Sequence, residues 1–149
     1  LPEGNGSLAR EILGNELLSR GLRIIRALED AGNYWSVENP QSSYLFKQAA
    51  VERLRSEDTC SEAVFDQCMY GLRFPDSNKD VFCRKATRVI SNISHLGGLV
   101  RRCDRNHSHE HAIGSVWTHS GWQKRTKLAG RYPVPLCQKW AELATLLQN

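Results

Sequence analysis

The chain has 149 residues, of which 40% are hydrophobic and 24% charged, and a formal net charge of +4. That balance suits one ordinary globular core and calls for neither disorder nor a repeat architecture. No apolar run approaches the roughly 20 residues that span a bilayer, so no membrane partner is expected.

Cys60, Cys68, Cys83, Cys103 and Cys137 are odd in number and sparse, which favours a reducing compartment, nuclear or cytoplasmic, over a secreted disulfide scaffold. The first residue is Leu1 rather than Met, so a longer product is expected.

Leu1 to Gly6 reads as a loop, and Ser7 is placed to cap a long helix. In that helix Leu8, Ile12, Leu17, Leu18, Leu22, Ile25 and Leu28 recur near helical spacing up to Gly32-Asn33. A strand follows over Tyr34–Glu38, because aromatic and β-branched residues favour a buried strand and Pro40 has no N–H to continue a ladder. Helix, tight turn and strand form the second half of a βαβ crossover. Carboxyl ends of strands border the crevice in open α/β sheets, which makes Glu38 and Asn39 candidate functional residues as well as polar strand-end residues.

Ser42 or Ser43 caps a second helix carrying Leu45, Phe46, Ala49, Ala50 and Leu54 on one face. Further strands are expected over Ala63–Met69, ending in a turn at Gly71, and over Arg84–Ile93, with an excursion at Phe74–Asp80 between them. Leu96 to Val100 makes a short helical turn. Trp117 and Trp122 read as cover for the sheet edge, with base stacking as the alternative. Leu136, Trp140, Leu143, Ala144 and Leu147 form the stripe of a last helix introduced by Tyr132-Pro133. The whole reads as one domain, 1–149, with a helix and strand core over 1–95 and a His/Cys loop region and terminal helix over 96–149.

The segment Cys103-Asp104-Arg105-Asn106-His107-Ser108-His109-Glu110-His111 supplies a thiol and imidazoles, the ligand types zinc prefers. His107 and His109 share a face only if the segment is extended; the alternative is a solvent-exposed histidine-rich loop beside a buried Cys103. Cys103, His107 and His109 provide three ligands, and Cys68 or Cys83 is the candidate fourth. Arg101, Arg102 and Arg105 cluster beside this segment, as do Lys124, Arg125, Lys127 and Arg131 farther on, and such patches suit either a phosphate backbone or a solvated surface.

The ordered set Glu38-Asn39-Pro40-Gln41-Ser42-Ser43, Cys68-Met69-Tyr70-Gly71, Arg84-Lys85-Ala86-Thr87, Ser91-Asn92, Cys103 with His107-Ser108-His109, and Tyr132-Pro133 with Leu136-Cys137 resembles the carboxyl half of methyltransferase-like domains of retroelement polyproteins. Those domains are similar to DNA cytosine-5 methyltransferases. The resemblance implies a partial Rossmann-like methyltransferase sheet with flanking helices in an α/β fold, joined by a small zinc-binding loop region. It also implies S-adenosylmethionine as cofactor, DNA as partner, and a missing amino-terminal half of the same fold. Glu38 and Asn39 match the Glu-Asn pair that holds the flipped cytosine, and Arg88 matches a substrate-positioning arginine. Arg84, Lys85, Ser42 and Ser43 join them as substrate-binding candidates. Pro40 stands where that family has valine and Ala86 where it has a further arginine. Neither a Pro-Cys nucleophile loop nor a glycine-rich cofactor turn occurs in this sequence, so the segment alone is expected to be inactive. The alternative is a noncatalytic, zinc-stabilised nucleic-acid-binding module.

Overall fold

The computed structural model describes residues 2–146; Leu1 and Leu147 lie outside them. The architecture is mixed α/β, a three-stranded sheet between helices with two smaller strand pairs beside it.

Helix α1 spans Ala9–Asp30. Ser7 is not its cap: the Ser7 N–H is held by Asn5 Oδ1 in a local turn, and Leu8 takes the cap position without a side-chain hydrogen bond. The helix ends where expected, with Gly32 at φ 68° and the Asn33 N–H returning to the Leu28 carbonyl at 2.8 Å, a Schellman arrangement that glycine permits. Leu18, Leu22, Ile25 and Leu28 pack inward, whereas Ile12, Leu13, Leu17 and Ile24 are exposed. Gly14 and Gly21 have open space where a Cβ would stand, so neither marks a close helix–sheet contact.

Strand β1 runs over Ser36–Pro40 rather than Tyr34–Glu38. Proline is tolerated because β1 is at the edge of its sheet among the described residues. The Gln41 N–H donates to the Ala86 carbonyl at 3.0 Å, so by the antiparallel alternation Pro40, opposite Thr87, falls where no ladder donor is needed. The next segment breaks in two. Ser43 caps a 3₁₀ turn, Tyr44–Lys47, by accepting from the Leu45 N–H, and α2 begins only at Ala49 and ends at Arg55, because Gln48 is extended at ψ 129°. Val51 takes the buried place expected of Ala49, which is exposed.

Strand β2 covers Ser61–Asp66, and the remainder of the expected Ala63–Met69 strand winds into a 3₁₀ turn at Gln67–Tyr70. The Gln67 N–H still donates to the Lys85 carbonyl in register with the β2–β4 pairing, the Leu72 N–H then returns to the Gln67 carbonyl, and Gly71 closes the turn at φ 86°. A short strand not foreseen in the excursion, β3 (Val81–Cys83), follows, and then β4 (Ala86–Ser91). The sheet order is β1-β4-β2 with β4 antiparallel to both neighbours. The expected strands therefore do share one sheet. β1 and β2 point the same way, with α2 between them in sequence.

Residues alternate between the two faces of this sheet. Ala63, Phe65 and Val89 face Tyr70, the Leu96–Leu99 3₁₀ turn, and Leu136 and Leu143 of α4 (Val134–Thr145). Val37 and Ile90 face α1 and α2. A third cluster, Leu72, Phe74, Cys83, Val116, Leu128 and Ala129, lies under the remaining elements: β5 (Ser108–Glu110), which pairs parallel with β3, the β6–β7 hairpin (Ser115–Thr118 and Gly121–Lys124), and α3 (Arg125–Leu128). Arg125 ties this part together through ion pairs to Glu110 and Asp76 while lying over the Phe74 ring. Trp117 and Trp122 do not cover the sheet edge; they sit exposed on their own hairpin. No described helix is long and apolar enough to cross a membrane.

Candidate metal centre and the sheet end beside it

Four ligand atoms converge. Those of Cys68, Cys103, His107 and His109 all lie within 4.8 Å of one another, with Cys68 buried and the other three half-buried. The Cys103 Sγ is 3.7 Å from His107 Nε2 and 3.4 Å from His109 Nε2. Ligands at the bond lengths of tetrahedral zinc, about 2.0–2.3 Å, stand roughly 3.3–3.8 Å apart; the two sulfur–nitrogen distances fall in that range, and the four residues could hold a metal ion as a Cys₂His₂ set.

Each ligand is placed by local structure. Cys68 comes from the 3₁₀ turn after β2. His107 and His109 reach the same side because the chain there is extended into β5, as alternation requires, with Phe82 of β3 against the His107 ring at 4.7 Å. Cys103 is fixed from two directions. Its own N–H donates to the buried Asp66 carboxylate at 2.9 Å, and its sulfur accepts the Arg105 N–H at 3.4 Å. The second bond needs the tight loop in which Arg105 takes φ 63°, a conformation uncommon for a residue with a side chain. Asp104 Oδ1 lies 3.9 Å from His107 Nδ1, the side of the ring away from the sulfur, where an outer carboxylate orients a metal-binding imidazole.

Electrostatics fit the same reading. Burial, then the neighbouring Cys103 thiol, push the Cys68 thiol up to about 12, and burial followed by His107 lowers the His109 imidazole, favouring its neutral, ligating form. A divalent cation offsets the first effect and uses the second. Cys83, the other candidate fourth ligand, is not part of the group. It is buried in the apolar cluster with Leu72 and Val116, and burial raises its thiol. His111 and His119 are outside the group too.

No family model, curated protein or solved structure matches the chain.

The Cys/His group adjoins one end of the sheet. The carboxyl ends of β1 and β2 and the start of β4 meet there, as the Gln41 N–H to Ala86 O and Gln67 N–H to Lys85 O bonds show. Glu38 points to the α4 side. Its Oε2 accepts from the Tyr132 hydroxyl at 2.7 Å, Lys85 Nζ is 3.9 Å from Oε1, and Oε1 is buried without a hydrogen-bond donor. Burial, followed by Glu38, raises the Tyr132 phenol. Lys85 also donates to the Ala129 carbonyl at 3.2 Å. Tyr132, read from sequence only as a helix opener, is thus a partner of Glu38 and also lines a cavity of about 280 Å³ with Arg73 and Arg131.

The remaining site residues are divided. Asn39 and Arg88 face each other across β1 and β4 on the opposite side of the sheet from Glu38, where Arg88 pairs with Glu62 at 3.2 Å and lies over the Phe46 ring. Ser43 is occupied as a cap and Ser42 is exposed. Arg84 is exposed near His109, and Arg102 reaches from Asp66 (3.5 Å) to Gln41 (3.4 Å) across the sheet end. The structure therefore brings Glu38, Lys85, Arg84 and Arg102 to the end of the sheet that holds the Cys/His group.

An S-adenosylmethionine site does not fit these residues. Among the described residues no strand passes through a glycine-rich turn into a helix, the feature that lets a backbone approach a nucleotide cofactor.

Proposed function

We propose that the chain is a zinc-stabilised, nucleic-acid-binding module. The observation that carries this reading is the convergence of Cys68, Cys103, His107 and His109 beside a cationic sheet end bearing Arg84, Lys85, Arg101 and Arg102. The metal would tie the Cys103–His109 segment to the turn carrying Cys68, and the arginines around it can neutralise phosphates. Arg101 lies over the Tyr70 ring, 4.8 Å from its centroid, which holds its side chain against the surface next to the metal turn.

Fluorescence anisotropy with a labelled DNA duplex tests it. Affinity is expected to fall steeply as salt rises, and the double variant R84A/R101A to weaken binding about tenfold and flatten the log–log salt slope by about 2. Binding that ignores both salt and these arginines defeats the reading.

A second reading is favoured by a separate observation. β1 and β2 are parallel, α2 connects them, and β4 is slotted antiparallel between, which is compatible with the margin of an open Rossmann-like sheet. The edge of β1 is unpaired among the described residues and α1 exposes Ile12, Leu13, Leu17 and Ile24. On this reading the module is the substrate side of a DNA methyltransferase-like protein, with another part of the fold supplying cofactor and nucleophile. Glu38, with one oxygen held by Tyr132 and the other free of donors, is the group that meets the base. In the assembled protein, Glu38→Gln should reduce methylation by a factor of about 100 or more while the melting temperature stays nearly constant. Equal rates in a methyl-incorporation assay would leave only the noncatalytic module.

A further inference from the structure

Trp117 and Trp122 are 64% and 70% exposed, opposite each other on β6 and β7, with ring centroids 5.7 Å apart at 78°. Strand alternation puts them on the outer face of the hairpin together with Ser115 and Lys124, while Val116 on the inner face is buried against Cys83 and Leu128 in the third cluster. The hairpin is tied at both ends by hydrogen bonds. Gly121 at φ 89° takes the left-handed turn position that favours glycine, the Thr118 hydroxyl donates to the Gly121 carbonyl at 2.9 Å, and the Arg125 N–H returns to the Gly114 carbonyl at 3.0 Å.

An edge-to-face pair stabilises a hairpin by itself, but it leaves an open ring face on each indole, and two such faces in water are a large apolar exposure for a fixed element. The surrounding charge says what covers them. From His111 to Ala141 the chain has no aspartate or glutamate, while Lys124, Arg125, Lys127, Arg131 and Lys139 are basic. Of these, Arg125 is engaged with Asp76 and Glu110; Lys124, Lys127 and Arg131 are exposed. Flat aromatic faces framed by cations, with no carboxylate in the segment, match unstacked bases and the phosphates that join them.

We propose that the β6–β7 hairpin is a stacking platform for single-stranded nucleic acid, with Trp117 and Trp122 each taking a base and Lys124 the intervening phosphate. The proposal deepens the nucleic-acid reading above and rests on it, but assigns the preference for unpaired strands to different residues from those that give general affinity. The test is anisotropy of a short oligothymidylate against a duplex of equal length, with vesicles of phosphatidylcholine and phosphatidylserine as a third probe. The native chain should prefer the single strand, and W117A/W122A should weaken oligothymidylate binding roughly tenfold or more while changing duplex binding little. W117F/W122F, which keeps ring faces and hairpin packing, should recover most of the loss. Quenching of indole fluorescence by the oligothymidylate gives an independent readout in the unaltered chain.

If W117A/W122A keeps the single-strand preference while R84A/R101A weakens binding, the hairpin assignment falls and the general reading stands. Binding to the vesicles that depends on both tryptophans and exceeds oligothymidylate binding also overturns it. Absence of binding to either nucleic acid overturns both.

Discussion

Cys103→Ser is expected to release zinc and lower the melting temperature by about 10 °C or more, corresponding to roughly 4 kcal/mol or more for a chain of this size. Purified native chain should carry one zinc per molecule by elemental mass spectrometry, and a strong chelator should reproduce the shift of the variant. The effect is large because Cys103 is held from several sides. Removing its thiolate leaves Cys68 a buried sulfur beside two imidazoles, and the loop that places the Arg105 N–H against the sulfur loses its anchor. The three hydrophobic clusters remain, so the variant should stay folded in the sheet rather than become fully disordered as isolated zinc fingers do. A chain with no bound zinc, and the same melting curve with and without chelator, would remove the metal from the account.

The second large effect is in the core. Phe65→Ala should destabilise the fold by about 3–5 kcal/mol in urea unfolding, because the ring is fully buried between β4 and α4 and the space it leaves is enclosed. It also removes the edge-to-face contact with Tyr70, 5.7 Å between centroids, and Tyr70 is in the same 3₁₀ turn as Cys68. Zinc affinity should therefore fall together with stability. Phe65→Leu, which keeps most of the volume, should recover much of both. A loss below about 1 kcal/mol would mean the α4 layer is packed differently.

How far the sequence discloses this molecule differs by element. The ligands Cys103, His107 and His109 were legible because their chemistry and their even spacing are local: an extended chain puts both imidazoles on one side. The fourth candidate was not, since Cys68 near the end of one expected strand and Cys83 in the loop before the next are equally placed by the sequence. The choice depends on the chain leaving β2 in the Gln67–Tyr70 turn and on Asp66 holding the Cys103 N–H, a contact between residues distant in sequence. The three main strands were found, with ends misplaced where a turn residue acts differently at an edge: Pro40 extends β1 because the edge needs no donor from it.

The β3 strand is three residues long and follows a run of turn-forming residues, so its pattern is too short to register, and its partner β5 lies beyond β4 in the chain. Signals for the hairpin were present, with Val116-Trp117-Thr118 and Trp122-Gln123-Lys124 alternating about Ser120-Gly121. Two tryptophans so close in sequence suit cover for a sheet edge equally well, so the alternation alone does not single out a free-standing hairpin. Tyr132 as the partner of Glu38 had no local signal, because it depends on how α4 docks.

The order of ligands along the chain bears on how the protein is made. As synthesis proceeds, Cys60, Cys68 and Cys83 leave the ribosome before the first histidine, His95, and all of β4 has emerged before Cys103. The central strand is thus available to pair with β1 and β2 while Cys68 still has no companion ligand. The four-residue Cys/His group is complete only after His109 appears, by which time both Gln67 and its partner Lys85 have been made. On the zinc reading proposed above, the metal would lock a sheet able to form without it, and the early thiols of the nascent chain would spend an interval open to oxidants and to one another.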